Sequence, residues 1–316
     1  MDSTAADPKA ASQKPSVFLL GLALAGILLV WSFNYIACKI ALRHMDALSL
    51  ASFRMELAAA IVLPIFFSRG GRLPHRPRDL WIFVYLAFFG IVINQGGFIL
   101  GLSYTTSQHS VIIIALGPII VLLLAVAMKL EFLTPAKILG MGISFIGVIL
   151  LETERGSPVH SPLLFGDLVT LAGATGYSIY AVLGKKVVNR YDAFTLSVGN
   201  IAASAVIVLP LAVRQGMRLN WASVGWASWA GMAYMAIFSS ILAYTLFYWV
   251  LRYMEASRVS AVNYFQTLIV IVLASVILGE RPSQHLLMGG ALVLLGVYLA
   301  ERDVDLTSIW SRREAA

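Results

Sequence analysis

Apolar windows of about twenty residues recur along nearly the whole chain, separated by short polar stretches. They fall at 17–41, 48–68, 80–102, 108–128, 136–151, 166–186, 193–213, 226–250, 259–278 and 285–301. About twenty apolar residues in a helix cross a hydrocarbon core ~30 Å thick. The pattern predicts an all-α integral membrane protein with ten transmembrane helices. Residues 1–16 and 302–316 are polar and read as cytoplasmic tails, the first of them disordered. No polar segment is long enough for a separate soluble domain.

The windows repeat. "DALSLASFRMELAAAIVLPIF" from Asp46 aligns without a gap on "DAFTLSVGNIAASAVIVLPLA" from Asp192, pairing Asp46 with Asp192 and Pro64 with Pro210. The same register pairs Lys39 with Lys185. Further on, Leu102, Tyr104, Glu131, Gly140, Gly147 and Glu152 pair with Leu251, Tyr253, Glu280, Gly289, Gly296 and Glu301, after an insertion before the eighth window. Apolar composition alone yields scattered Leu and Ala matches, but not Asp, Lys, Glu and Pro at fixed offsets. The chain therefore reads as two five-helix repeats, 17–151 and 166–301. An odd number of spans sends the second copy in from the opposite face, so the repeats are inverted. That arrangement is typical of secondary transporters, which bind substrate near the midplane between the halves.

Composition agrees with a membrane protein. Hydrophobic residues make up 59% and charged residues 12%, against about 25% charged in soluble domains. The net charge of +7 is explained by topology rather than by nucleic acid. With the N-terminus inside, roughly 16 of the 23 Lys and Arg fall on the cytoplasmic side, Arg69, Arg72, Arg76 and Arg78 among them. Both termini are expected in the cytoplasm and the chain in an inner (plasma) membrane. Cys38 is the single cysteine, so no intramolecular disulfide forms.

Two charges interrupt the second window. Arg54 lies seven residues below the outer end near Ala47, about 10 Å deep. It is read as a substrate-binding group, since a guanidinium suits a carboxylate; the alternative is an internal pair that fixes helix packing. Glu56 is read as a proton-coupling carboxylate or, alternatively, as the ion-pair partner of another helix. Uncharged polar and aromatic residues at similar depth complete a candidate substrate site: Trp31, Asn34, Asn94, Gln95, His109, Tyr177, Tyr180, Asn200, Tyr244, Asn263, Tyr264 and Gln266. Amides and phenols bind a polar solute without carrying charge; the alternative for each is a hydrogen bond between helices. The sequence contains no phosphate-binding loop, no His/Cys metal spacing and no nucleophile elbow. It therefore predicts no enzyme, no catalytic residue, no metal and no cofactor.

"WSFNYIACKIAL", the "FR" at 53–54, "GLSYTTSQHSVII" leading to Pro118, and "ILGERPS" resemble the drug/metabolite transporter superfamily, most closely its EamA-type branch. The resemblance covers nearly all of residues 17–301. It implies ten helices in two inverted halves, no enzymatic activity, and export of a small metabolite, often an amino acid, by alternating access. The expected partners are a small-molecule substrate and the lipid bilayer, with protons the candidate coupling ion by way of Glu56. A polar-lined channel or an uptake carrier is the alternative. Two positions depart from the family pattern. Thr267 stands where the ninth span commonly carries a proline matching Pro118, so symmetric kinking is not expected. Glu56 is no part of the motif.

Overall fold

The computed structural model describes residues 15–73, 77–127, 133–153, 162–254, 259 and 262–314, the last fourteen by backbone alone. Among them every regular element is helical. In chain order they are α1 (Val17–Ala41), α2 (Ala47–Ser68), α3 (Pro77–Ala87, Phe88–Ile93 and Asn94–Tyr104 in one rod), α4 (Ser107–Ile114, then Gly117–Ala127) and α5 (Pro135–Thr153). The second half comprises α6 (Pro162–Val187), α7 (Ala193–Arg218), α8 (Trp226–Tyr234, Met235–Leu242 and Ala243–Tyr253), α9 (Val262–Leu273 and Ala274–Leu278) and α10 (Gln284–Glu314).

Among the described residues, six helices have both the length and the apolarity to cross a membrane: Val17–Ala41, Ala47–Ser68, Leu80–Tyr104, Ser107–Leu124, Ala193–Arg218 and Trp226–Tyr253. The apolar parts of α5, α9 and α10 are shorter. In α6, Gly166, Asp167, Thr170, Gly173, Thr175 and Gly176 dilute the apolar run. The protein is thus a multi-pass membrane protein. The residues expected as a C-terminal tail continue α10 as far as Glu314.

Local chemistry explains the ends. Asp46 caps α2, its Oδ1 accepting from the N–H groups of Leu48 (3.1 Å) and Ser49 (3.0 Å). Its repeat mate Asp192 caps α7 by accepting from Thr195 N–H at 2.9 Å. Such caps satisfy donors that a helix start leaves open. Pro118, which cannot donate a backbone hydrogen bond, comes just after a break in α4 at Ala115–Leu116, whereas α9 runs unbroken through Thr267. The expected asymmetry between α4 and α9 is present.

The halves interlock across a pseudo-two-fold axis. Helices α1 and α8, α2 and α7, α3 and α6, and α5 and α10 form the main pairs between them. Lys39 Nζ donates to Thr105 O at 2.5 Å, and Lys185 Nζ donates to Met254 O at 2.7 Å. These are the same bond in the two repeats. In α5 and α10, Gly140 faces Gly296 and Gly147 faces Gly289, so the two helices run antiparallel. Tertiary packing is apolar, in three clusters centred on residues such as Ile99 and Leu102, Tyr180 and Phe247, and Val62 and Val198.

Candidate functional site

Two wide turns shape the middle of the bundle. Phe88–Ile93 of α3 and Met235–Leu242 of α8 are π-helical and sit at matching repeat positions. A π turn holds an extra residue, which rotates the next stretch of helix by about 100° relative to an uninterrupted one. In α3 that stretch begins with Asn94 and Gln95; in α8 it begins with Ala243 and Tyr244.

These residues meet at a cavity lined by Trp31, Asn34, Tyr35, Asn94, Gln95, Phe98, Ile114, Tyr177, Tyr244 and Gln266. It encloses about 60 Å³; on that measure one water needs roughly 10–15 Å³, so a small solute group fits. Larger grooves, one of about 660 Å³ bordered by Leu19, Leu22 and Trp249, lie on the apolar outside of the bundle. The cavity sits on the pseudo-two-fold axis. Trp31 and Tyr177 occupy the same repeat position, and their rings meet edge to face with centroids 6.0 Å apart. Gln95 and Tyr244 also share a repeat position, and Gln95 Nε2 donates to Tyr244 Oη at 2.6 Å. Repeat mates touch one another only where an axis passes between them.

A polar chain runs behind the wall. Arg54 is fully buried. Its Nε donates to Ser240 Oγ at 3.0 Å and its Nη1 to Gln95 Oε1 at 2.7 Å. Gln95 Nε2 donates also to Asn94 Oδ1 at 3.1 Å, and Asn94 Nδ2 donates to Gly173 O at 3.1 Å. The Ser240 hydroxyl donates to Met235 O inside the π turn at 3.0 Å, leaving its lone pairs to Arg54. Three buried atoms of lining residues have no hydrogen-bond partner among the described residues: Trp31 Nε1, Asn34 Oδ1 and Tyr177 Oη. Buried polar groups are nearly always hydrogen-bonded.

Of the residues singled out from the sequence, Trp31, Asn34, Asn94, Gln95, Tyr177, Tyr244 and Gln266 come together here. Arg54 reaches the cavity only through Gln95. Tyr180 packs under it, stacked on Phe247 with centroids 5.8 Å apart. His109 lies where α4 meets α6, its Nδ1 3.6 Å from Asp167 Oδ2. Asn200 is buried in α7 and Tyr264 packs against an apolar cluster; neither lines the cavity. The side chain of Asn263 lies outside the described residues. Glu56 is half-buried, and among the described residues it makes no ion pair and its Oε1 has no hydrogen-bond partner. Tyr35, Phe98 and Ile114 line the cavity without having been singled out. Tyr35 is one turn from Trp31, and Phe98 one turn from Asn94, so helical periodicity was the available signal.

This fold, two interlocked repeats around an axial polar cavity, is that of a membrane transporter. Residues 17–153 and again 164–301 match the EamA-like transporter family, and the chain belongs to that family, one of transporters and not of enzymes. Relatives include an uncharacterized transporter of Archaeoglobus fulgidus, 29% identical over 88% of this chain and 96% of its own length. A probable terminal-alkyne amino-acid exporter of Streptantibioticus cattleyicolor is 25% identical over 93% of this chain and 96% of its own. A WAT1-related protein of Arabidopsis thaliana is 27% identical over 83% and 73%. A solved crystal structure, 17% identical, shares the fold with a TM-score of 0.63 over 95% of this chain and all of the other.

Proposed function

We propose that the chain is a secondary transporter of the inner (plasma) membrane that moves a small organic metabolite, an amino acid or a related compound, outward by alternating access at the axial cavity. The observation that carries this reading is the trio Trp31 Nε1, Asn34 Oδ1 and Tyr177 Oη. Three polar groups of lining residues, unmet among the described residues, favour a polar ligand that reaches them when the site opens. The position between inverted halves supports it, because there a rocking motion exposes one site to each side in turn. The amino-acid exporter among the relatives supports the substrate class and the direction. Glu56 is the candidate proton-coupling carboxylate.

Uptake and efflux in proteoliposomes, across a metabolite panel with and without a proton gradient, test the proposal. A carrier shows saturation and stimulation by substrate on the far side. A linear flux without that stimulation identifies a channel instead. In a Cys38→Ala background, cysteines at Asn94 and Gln266 should react with a water-soluble maleimide and be protected by substrate, while one at Tyr180 should stay unreactive. The reverse pattern removes the cavity from the transport path.

All ten helices cross the membrane on this reading, with both termini in the cytoplasm. The support is the Lys and Arg distribution, above all Arg69, Arg72, Arg76 and Arg78 in one short connection. Reporter fusions after Arg78 and at the C-terminus should both report cytoplasm; an opposite signal from either overturns the topology.

A further inference from the structure

We propose that Arg54, acting through Gln95, makes the cavity selective for organic anions, carboxylates above all. The inference rests on the cavity being the substrate site. Arg54 is 0% exposed. Its two hydrogen-bond acceptors, Ser240 and Gln95, are neutral, and its Nη2 has no partner among the described residues. No carboxylate pairs with it among the described residues. A buried charge is normally paired, and none of the ten residues around the cavity carries a charge of either sign. Among the described residues, then, the Arg54 charge behind the cavity has no directly bonded counter-charge. A cargo with a negative charge supplies the missing partner.

Gln95 couples that charge to the cavity. A guanidinium has donors only, so it holds Oε1 of Gln95 toward itself and turns Nε2 toward Tyr244 and Asn94. The amide lies between the guanidinium and the cavity with its positive end on the cavity side. Both Nε2 hydrogens are already given, to Tyr244 Oη and Asn94 Oδ1, so an arriving carboxylate displaces one of these weaker acceptors to reach an N–H polarised by the charge behind it, in surroundings that screen the charge weakly. Gln95 is thus a specificity-determining residue and Arg54 a positioning residue that acts through it.

The test uses the full-length protein purified in detergent and two isosteric probe pairs, benzoate with benzamide and 4-methylpentanoate with 4-methylpentanamide. Within each pair the shape is constant and only the charge changes. Binding is read from ligand-induced shifts in melting temperature over a concentration series. The parent protein should bind each acid on the order of tenfold more tightly than its amide. Gln95→Glu places a carboxylate beside Arg54, and Ser240→Asp neutralises the guanidinium from the opposite side without altering any cavity-lining residue. Either folded variant should lose the preference for the acid, a change that a merely structural role for these residues would not produce. Equal binding of acid and amide by the parent overturns the proposal, as does an acid preference that survives in the folded variants. Binding of neither pair overturns it too; transport of an uncharged or cationic cargo in proteoliposomes would then leave the transporter reading standing.

Discussion

Gly296→Leu should leave little folded protein, while Gly142→Leu, in the partner helix, should be tolerated. Helices α5 and α10 touch backbone to backbone. A Cβ on Gly296 would collide with Gly140 O and stand 2.6 Å from Ser144 N. One on Gly147 would stand 2.7 Å from Gly289 O and 2.8 Å from Val293 N. Real Cβ atoms do not approach within 3.0 Å, and backbone cannot rotate away as a side chain can. Helices in lipid associate through this kind of close packing, because the surrounding chains are as apolar as the helices themselves. The Ser144 hydroxyl, which donates to Val293 O at 3.1 Å, would lose its partner when the helices separate. The cost should reach or exceed the ~3 kcal/mol at the upper end of overpacking penalties. Gly142 has nothing within 4 Å of its Cβ position, so leucine there fits against lipid. Monodisperse yield in detergent and melting temperature give the comparison. Equal behaviour of the two variants would mean that the α5–α10 contact does not hold the halves together.

Glu280→Ala should loosen the bundle at the end where α4 begins. Gly279 ends α9 in the left-handed conformation, φ 72°, which suits glycine. The turn brings the Glu280 carboxylate to the start of α4, where it accepts from Ser107 N–H at 3.1 Å and Gln108 N–H at 3.3 Å. Gln108 Nε2 returns two bonds, to Ser275 Oγ and Glu280 O, both at 3.1 Å. An anion at a helix N-terminus is favoured by open donors and by the helix dipole. Hydrogen bonds to a charged group contribute about 1.5–3 kcal/mol, so their loss shifts a two-state equilibrium by about ten- to a hundredfold. A cysteine at Gln266, in a Cys38→Ala background, should then be modified correspondingly faster by an impermeant maleimide added on the Glu280 side of oriented vesicles. Glu280→Gln, which keeps an acceptor, should lie in between. An unchanged rate in Glu280→Ala would show that this contact does not restrain that end of the bundle.

Much of the architecture was legible because its signals are local. Asp46 and Asp192 announce helix starts, and the register that pairs Lys39 with Lys185 anticipates two identical lysine–carbonyl bonds between spans far apart in sequence. Pro118 and Thr267 together anticipated one broken and one continuous helix. The facing of side chains was harder to read. A helix bordered by lipid is apolar all round, so polarity does not mark its inward side, and helices such as α2 expose Ile65 and Phe67 as freely as they bury Val62 and Phe66. The π turns add to this, since an interrupted period moves Gln95 and Tyr244 off the face that a regular helix would assign them. Arg54 shows both effects. Its depth came from counting residues, yet its place behind Gln95 depends on α3 and α8, and no pattern within α2 encodes it. Depth and residue type point Tyr180 and Tyr264 toward the site, and packing turns them elsewhere.

The contact of Trp31 with Tyr177, and of Gln95 with Tyr244, has a consequence for symmetry. Two separate copies of one repeat, paired about a true two-fold axis, would set each of these residues against its own duplicate. An asymmetric solute in such a dimer has two equivalent poses, and any mutation that improves one end of the site alters the other equally. Joining the copies in one gene removes that coupling. Tryptophan can then face tyrosine, and glutamine can face tyrosine, so that one arginine on one side of the axis has no duplicate on the other. The site acquires a direction, and a bound molecule acquires a head and a tail.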